Sequence, residues 1–248
     1  MANHHPDWVR RELELDAPLA RDANNEKDAV KRVQEWLNLH GYGMGIDGGY
    51  GPVTADGVKR FQAARKLRAT GKVDAGTYAK LVAPMRAVLR RTTRRPANVR
   101  TAVRHYANLH LAQHPREIGG ANRGPWVRLY MKGLEGQPWC AGFVTFVLGQ
   151  AAEAAGKPMP IAGSVSCDQL AAQGKRANLL VAKDRVRPGS IFLVRKTDTD
   201  WVHTGFVTQV KPQLFRTIEG NTNDDGMREG HEVASLTRSY ASKDFLRL

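Results

Sequence analysis

Pro138-Trp139-Cys140-Ala141-Gly142-Phe143-Val144 sets a cysteine at the mouth of an apolar helix. Phe143, Val144, Val147, Leu148 and Ala151 recur on one helical stripe, and Gly156-Lys157-Pro158 stops the run. A cysteine in the first turn feels the positive end of the helix dipole and N–H groups with no intrahelical acceptor. Both lower its thiol pKa. Pro138 is tolerated because first-turn N–H groups lack partners in any case. An isolated cysteine would read as a small buried apolar residue; the histidine, glutamate and asparagine further along the chain favour a nucleophile.

Downstream come Val202-His203-Thr204-Gly205-Phe206-Val207 and Glu219-Gly220-Asn221. Residues 190–194 read as a strand entered through the turn Arg187-Pro188-Gly189, and residues 203–210 and 214–219 as two more. The short connection Lys211-Pro212-Gln213 makes the last two a hairpin. Pairing centred on residue 212 sets His203 opposite Asn221, and pairing centred on 211 sets it opposite Glu219. Those two residues share a face of an extended strand. Register alone therefore brings an imidazole beside a carboxylate and a carboxamide. A thiol, an imidazole and an orienting group are the parts of a cysteine hydrolase. Residues 99–110 read as a helix. His110 and His114 share its face at metalloprotease spacing, but no glutamate follows the first histidine and Pro115 ends the helix. They read as surface histidines, and no metal site is expected.

The N-terminal third has a different texture. Val30, Val33, Trp36, Leu37 and Leu39 mark an amphipathic helix from Lys27, stopped by Gly41-Tyr42-Gly43. After the turn Ile46-Asp47-Gly48-Gly49-Tyr50-Gly51-Pro52, Thr54 is the expected N-cap of a second helix carrying Val58 and Phe61. A turn at residues 70–74 and a short helix over 75–81 complete a three-helix core. The elements Val33-Gln34-x-x-Leu37, Gly41-Tyr42, Asp47-Gly48-x-Tyr50-Gly51-Pro52-x-Thr54, Val58-x-x-Phe61-Gln62 and Gly71-x-Val73-Asp74-x-x-Thr77 resemble the peptidoglycan-binding domain 1 family over about residues 27–83. The resemblance implies docking onto peptidoglycan through a shallow surface near the Asp-Gly turn, with Asp47 and Tyr50 as candidate contacts; Asp47 also reads as a turn cap.

Residues 99–240 resemble the CHAP family, the cysteine- and histidine-dependent amidohydrolases and peptidases of the papain-like group. The Cys140 helix, Pro188-Gly189 before a strand, His203-x-Gly205-x-Val207 and Glu219-x-Asn221 fall in that family's order. The resemblance implies Cys140 as nucleophile and His203 as general base, Glu219 orienting the imidazole and Asn221 assisting. The oxyanion is expected to meet the Cys140 N–H, with Gln137 the nearest candidate for a second donor. Ser190 stands where the family often has Asp. The calcium-binding acidic loop of some relatives is missing, since residues 127–137 contain only Glu135 as an acid. No cofactor is implied.

The expected fold class is α+β: an arm (1–26), a small three-helix wall-binding domain (27–83), an Arg-rich linker (84–98), and a papain-like domain (99–248) with N-terminal helices packed on an antiparallel sheet. No apolar run approaches the roughly 18–20 residues of a membrane span, and the first 20 residues lack the apolar core of a secretory signal. The two cysteines, Cys140 and Cys167, indicate no disulfide framework; a bridge between them would block the nucleophile, and Cys167 reads as a buried thiol. Of the net charge of +14, half sits between Arg86 and Arg104, where seven arginines occur and no acid. Arg86, Arg90, Arg91, Arg94 and Arg95 are candidates for contact with anionic lipopolysaccharide or wall polymer; nucleic acid is not expected, and a monomer is. Together the two resemblances imply a peptidoglycan amide hydrolase, either N-acetylmuramoyl–L-alanine amidase or stem-peptide endopeptidase. The layout is similar to that of phage endolysins, made in the bacterial cytoplasm and acting on the wall after release. Alternatives are an effector delivered by a secretion system into a rival's periplasm, a non-catalytic wall-binding protein, and a zinc peptidase, for which clustered ligands are wanting.

Overall fold

The computed structural model describes residues 5–93, 95–223 and 230–248, and it is α+β. The chain divides into two compact units. Unit 1 holds residues 1–89 and 116–135, and unit 2 holds residues 90–115 and 136–248.

Unit 1 contains α1 (Asp7–Leu13), α2 (Lys27–Leu39), α3 (Pro52–Ala64), α4 (Ala75–Leu81), α5 (Ala83–Val88) and α7 (Pro125–Tyr130). Its core is built from Val30, Val33, Trp36, Leu37, Val58, Phe61, Val73, Tyr78 and Leu81, all essentially inaccessible. Two buried glutamines organise the turns. Gln34 donates to Asp47, Gly49 and Thr54 and accepts the Gly48 N–H; Gln62 donates to Thr70, Lys72 and Thr77 and accepts the Gly71 N–H. Each glutamine thus clamps a glycine turn to the helix that follows it. α3 begins at Pro52, earlier than the cap expected at Thr54, because proline suits the first helical position. The Thr54 hydroxyl instead donates to the Gly49 carbonyl.

The division departs from the sequence expectation in three places. The expected linker, residues 84–98, holds most of α5 and is divided between the units after residue 89. The arm contains α1, and residues 116–135, expected in the catalytic domain, belong to unit 1. The cause is visible in α7. Trp126 packs edge-on against Trp36 at 5.9 Å, and the Arg128 guanidinium meets Glu12 at 2.6 Å, Glu35 at 2.6 Å and Glu135 at 2.7 Å. One buried cation therefore joins α1, α2, α7 and the loop after it. Burial raises the Glu35 pKa, against the pull of Arg128.

Unit 2 contains α6 (Val99–Leu111), α8 (Cys140–Ala155), α9 (Cys167–Arg176) and a sheet of strands β1 (Leu180–Val181), β2 (Ile191–Arg195), β3 (Trp201–Val210), β4 (Leu214–Thr222), β5 (Glu232–Ala234), β6 (Thr237–Ser239) and β7 (Lys243–Leu246). The order is β1-β7-β2-β3-β4-β5, with β6 also paired to β4 and every pairing antiparallel. α8 packs on α6, β3 and β4, and α9 packs on β3. His110, expected at the surface, is fully buried against α8 between Phe143 and Phe146. Its Nε2 meets Gln150 at 2.9 Å, and burial lowers its pKa to about 4. It is a neutral core histidine. His114 is exposed.

Three of the seven arginines of the segment are tied to their own chain. Arg86 donates to the Leu13 carbonyl in unit 1. In unit 2 Arg91 pairs with Glu153, and Arg95 donates to the Ala155 and Gly156 carbonyls. Cations here complement the negative end of α8, whose C-cap Gly156 adopts the left-handed conformation that glycine permits. Arg90 is exposed, and Arg94 lies outside the described residues.

The Arg128 node carries a prediction. Arg128→Met should destabilise unit 1 by about 3–5 kcal/mol, because it strands buried carboxylates. Hydrogen exchange in α1 and α7 should quicken accordingly; unchanged protection there would show that the node contributes little.

Candidate active site

The site begins with the β3–β4 hairpin. Phe206 pairs with Ile218 and Val207 with Thr217, so continuing the register sets His203 opposite Asn221 and Gly205 opposite Glu219. His203 Nε2 meets Glu219 Oε2 at 2.7 Å, a diagonal contact across the ladder. Two glycines make this geometry possible through space rather than backbone freedom. A Cβ at residue 205 would lie 2.8 Å from Glu219 Cγ, so glycine there lets the carboxylate cross β3. A Cβ at residue 220 would lie 2.7 Å from Trp139 and Phe143, so glycine there lets β4 approach α8.

Glu219 is fully buried and multiply bonded. Arg238, from β6, donates to both of its oxygens at 2.5 Å, and the Thr217 hydroxyl donates to Oε1 at 2.5 Å. Burial alone would raise its pKa, but Arg238 and then His203 hold it down at about 2. Sequence reasoning missed Arg238. As one of 38 basic residues, with no motif around it, it carries no local signal.

Cys140 is the first residue of α8, and Trp139 occupies the N-cap position without a side-chain cap bond. The Trp139 N–H donates instead to Asn221 Oδ1 at 3.0 Å. Asn221 has a positive φ of 54° in a stretch where the β4–β5 register shifts, so the simple strand alternation expected for residues 219 and 221 is broken. Glu219 serves the imidazole, while the Asn221 oxygen fastens the entrance of the cysteine helix. Gln137 is exposed in the loop before α8.

Cys140 and His203 are 4% and 3% exposed. Since Nε2 is committed to Glu219, Nδ1 is the ring atom left to engage the thiol; it is buried and has no hydrogen bond of standard geometry. The Cys140 pKa lies well below the usual thiol value. Its neighbour Cys167, with Sγ at 3.7 Å, contributes most; burial opposes the shift, and His203 adds to it. Burial would depress the His203 pKa, yet Cys140 and Glu219 raise it to about 9. A lowered thiol beside a raised imidazole favours thiolate and imidazolium over the neutral pair. No cluster of three or more His, Cys, Asp or Glu able to hold a metal occurs among the described residues.

In unit 1 the candidate wall contacts have internal roles. Asp47 Oδ1 accepts from Gln34 and from the Gly49 N–H, both at 2.8 Å, which lowers its pKa. Tyr50 is 8% exposed and its hydroxyl donates to the Gly71 carbonyl at 2.9 Å; burial raises its pKa.

The Cys140 chemistry can be probed without a substrate. Iodoacetamide should alkylate Cys140 at a rate nearly flat between about pH 6 and 8, where an ordinary thiol near pKa 8.5 gains about tenfold per unit. His203→Ala should make the dependence steeper than in the wild type, with the contribution of Cys167 remaining. A wild-type rate rising steeply to about pH 8.5 would show that no ion pair forms.

No curated protein matches the chain, and no solved structure does. Residues 26–81 match the family model described as a putative peptidoglycan binding domain, so this part of unit 1 is a peptidoglycan-binding domain.

Proposed function

We propose that the chain is a peptidoglycan amide hydrolase in which unit 1 holds the wall and Cys140 of unit 2 cuts it. The observation that carries the reading is that one chain holds both the buried Cys140–His203–Glu219 array and a peptidoglycan-binding domain. Binding places the polymer; the array supplies a nucleophile and a proton.

The thiolate attacks an amide carbonyl, forming a C–S bond and a tetrahedral oxyanion. As the first residue of α8, Cys140 contributes its own N–H to that oxyanion, among first-turn N–H groups with no intrahelical acceptor. The imidazolium of His203 protonates the leaving amine, the C–N bond breaks, and a thioester remains. Neutral His203 then takes a proton from water, which attacks the thioester and releases the acid, restoring the pair. Glu219, held by Arg238 and Thr217, fixes the ring and offsets its charge. The bond is either the N-acetylmuramoyl–L-alanine amide or a stem-peptide bond, and the layout fits an endolysin-like role on the wall. Exposed Arg90 adds attraction to anionic envelope polymers; Arg86, Arg91 and Arg95 already have partners within the chain.

Purified sacculi should release fragments whose masses name the bond, and Cys140→Ser should lower release by about a thousandfold or more. Chelators should leave the rate unchanged. Activity needs thiolate and imidazolium together. It is therefore present above the lowered Cys140 pKa and falls as pH rises through about 9, and Glu219→Gln should move that alkaline limb down. Equal release by wild type and Cys140→Ser would place the nucleophile elsewhere.

A further inference from the structure

Cys167 forms no bond in the mechanism above, although it is the neighbour that lowers the Cys140 pKa most, and its position is tightly built. It opens α9, whose first turn is capped by the Ser166 side chain to the Gln169 N–H. The next residue, Asp168, accepts the Trp201 N–H at 2.7 Å and so ties the start of α9 to β3, two residues before His203. This arrangement delivers Cys167 Sγ to 3.7 Å from Cys140 Sγ, with both side chains buried and no disulfide between them. A disulfide needs about 2.05 Å. The sulfurs must therefore close by about 1.7 Å for a bond to form.

We propose that Cys140 and Cys167 form a peroxide-responsive pair, with Cys140 the attacked thiol and Cys167 the resolving one. The Cys140 thiolate attacks one oxygen of hydrogen peroxide; the O–O bond breaks, Cys140 becomes a sulfenic acid, and water leaves after protonation. Cys167 Sγ then attacks Cys140 Sγ. An S–S bond forms, the S–O bond breaks, and a second water leaves. Two thiols lose two electrons and one peroxide becomes two waters.

Both ingredients are local. Cys140 has the thiolate character that oxidation requires, to which its neighbour Cys167 contributes most and His203 adds. Burial of the pair admits a molecule the size of peroxide more readily than a protein thiol. The disulfide would occupy the attacking sulfur and halt hydrolysis, a consequence that rests on the function proposed above. It would also spare Cys140 from sulfinic acid, the irreversible step for most cysteines. A lone catalytic cysteine under peroxide lacks that protection.

The test treats the folded full-length protein with hydrogen peroxide and maps unreduced peptides by mass spectrometry. The wild type should yield a cross-linked peptide joining Cys140 to Cys167, and dithiothreitol should restore both alkylation of Cys140 and sacculus hydrolysis. In Cys167→Ser the share of oxidised Cys140 that ends as sulfinic acid should be about tenfold higher than in the wild type, whatever the rate of the first oxidation, with loss that dithiothreitol does not reverse. Absence of the cross-link, with equal sulfinic acid in wild type and variant, overturns the pair. The wild-type cross-link is decisive by itself if the variant misfolds. A cross-link in a protein that hydrolyses nothing when reduced would support the pair and refute the hydrolase reading.

Discussion

The unit 2 site hangs on one buried carboxylate. Glu219 receives the His203 ring on one side and the Arg238 guanidinium on the other, with Thr217 filling a remaining lone pair. A carboxylate at zero exposure is costly unless fully paired, and this one is. Its negative charge joins that of Cys140 in sustaining the imidazolium, and the imidazolium adds to the larger contribution of Cys167 in sustaining the thiolate. The charges alternate from the half-buried Arg238 through Glu219 and His203 to Cys140, and the last three are desolvated beside opposite partners. Removing Arg238 would leave Glu219 to be neutralised by protonation or water, and the histidine would lose its support.

Glycines set the distances on which that chain depends. Gly205 clears the path for Glu219 across β3, and Gly220 lets β4 lie against Trp139 and Phe143. Asn221 then fixes the Trp139 N–H at the N-cap of α8, so one short stretch of β4 both orients the His203 ring and anchors the Cys140 helix. This explains why Glu-Gly-Asn and His-x-Gly occur as they do, in terms of space and hydrogen bonds.

Much of this is legible in the sequence. The hairpin about residue 212 follows from two extended runs and a short turn, and its register brings His203 to Glu219 and Asn221. Cys140 at the start of a helix follows from an apolar stripe and its stop. The rest is set by tertiary context. Arg238 reaches the site from a short strand far along the chain. His110 continues the α6 stripe of Val99, Ala102, Val103, Tyr106 and Ala107, so its burial is legible in the helical period, and only its partners on α8 depend on tertiary packing. Residues 116–135 have no composition shift to show that Trp126 and Arg128 belong with α1 and α2. The positive φ at Asn221 breaks an alternation that a regular strand would keep. Cys167 reads as buried from the sequence, but its distance from Cys140 depends on how α9 docks on β3.

The protonation state of His203 at neutral pH tests the account most directly. Nitrogen chemical shifts of isotopically labelled imidazole, followed through pH, should report an imidazolium that titrates near 9. Cys140→Ser should lower that midpoint toward the ordinary value of about 6.5. A His203 ring already neutral at about pH 7 in the wild type, titrating as an ordinary histidine, would contradict the thiolate–imidazolium pair and the mechanism built on it.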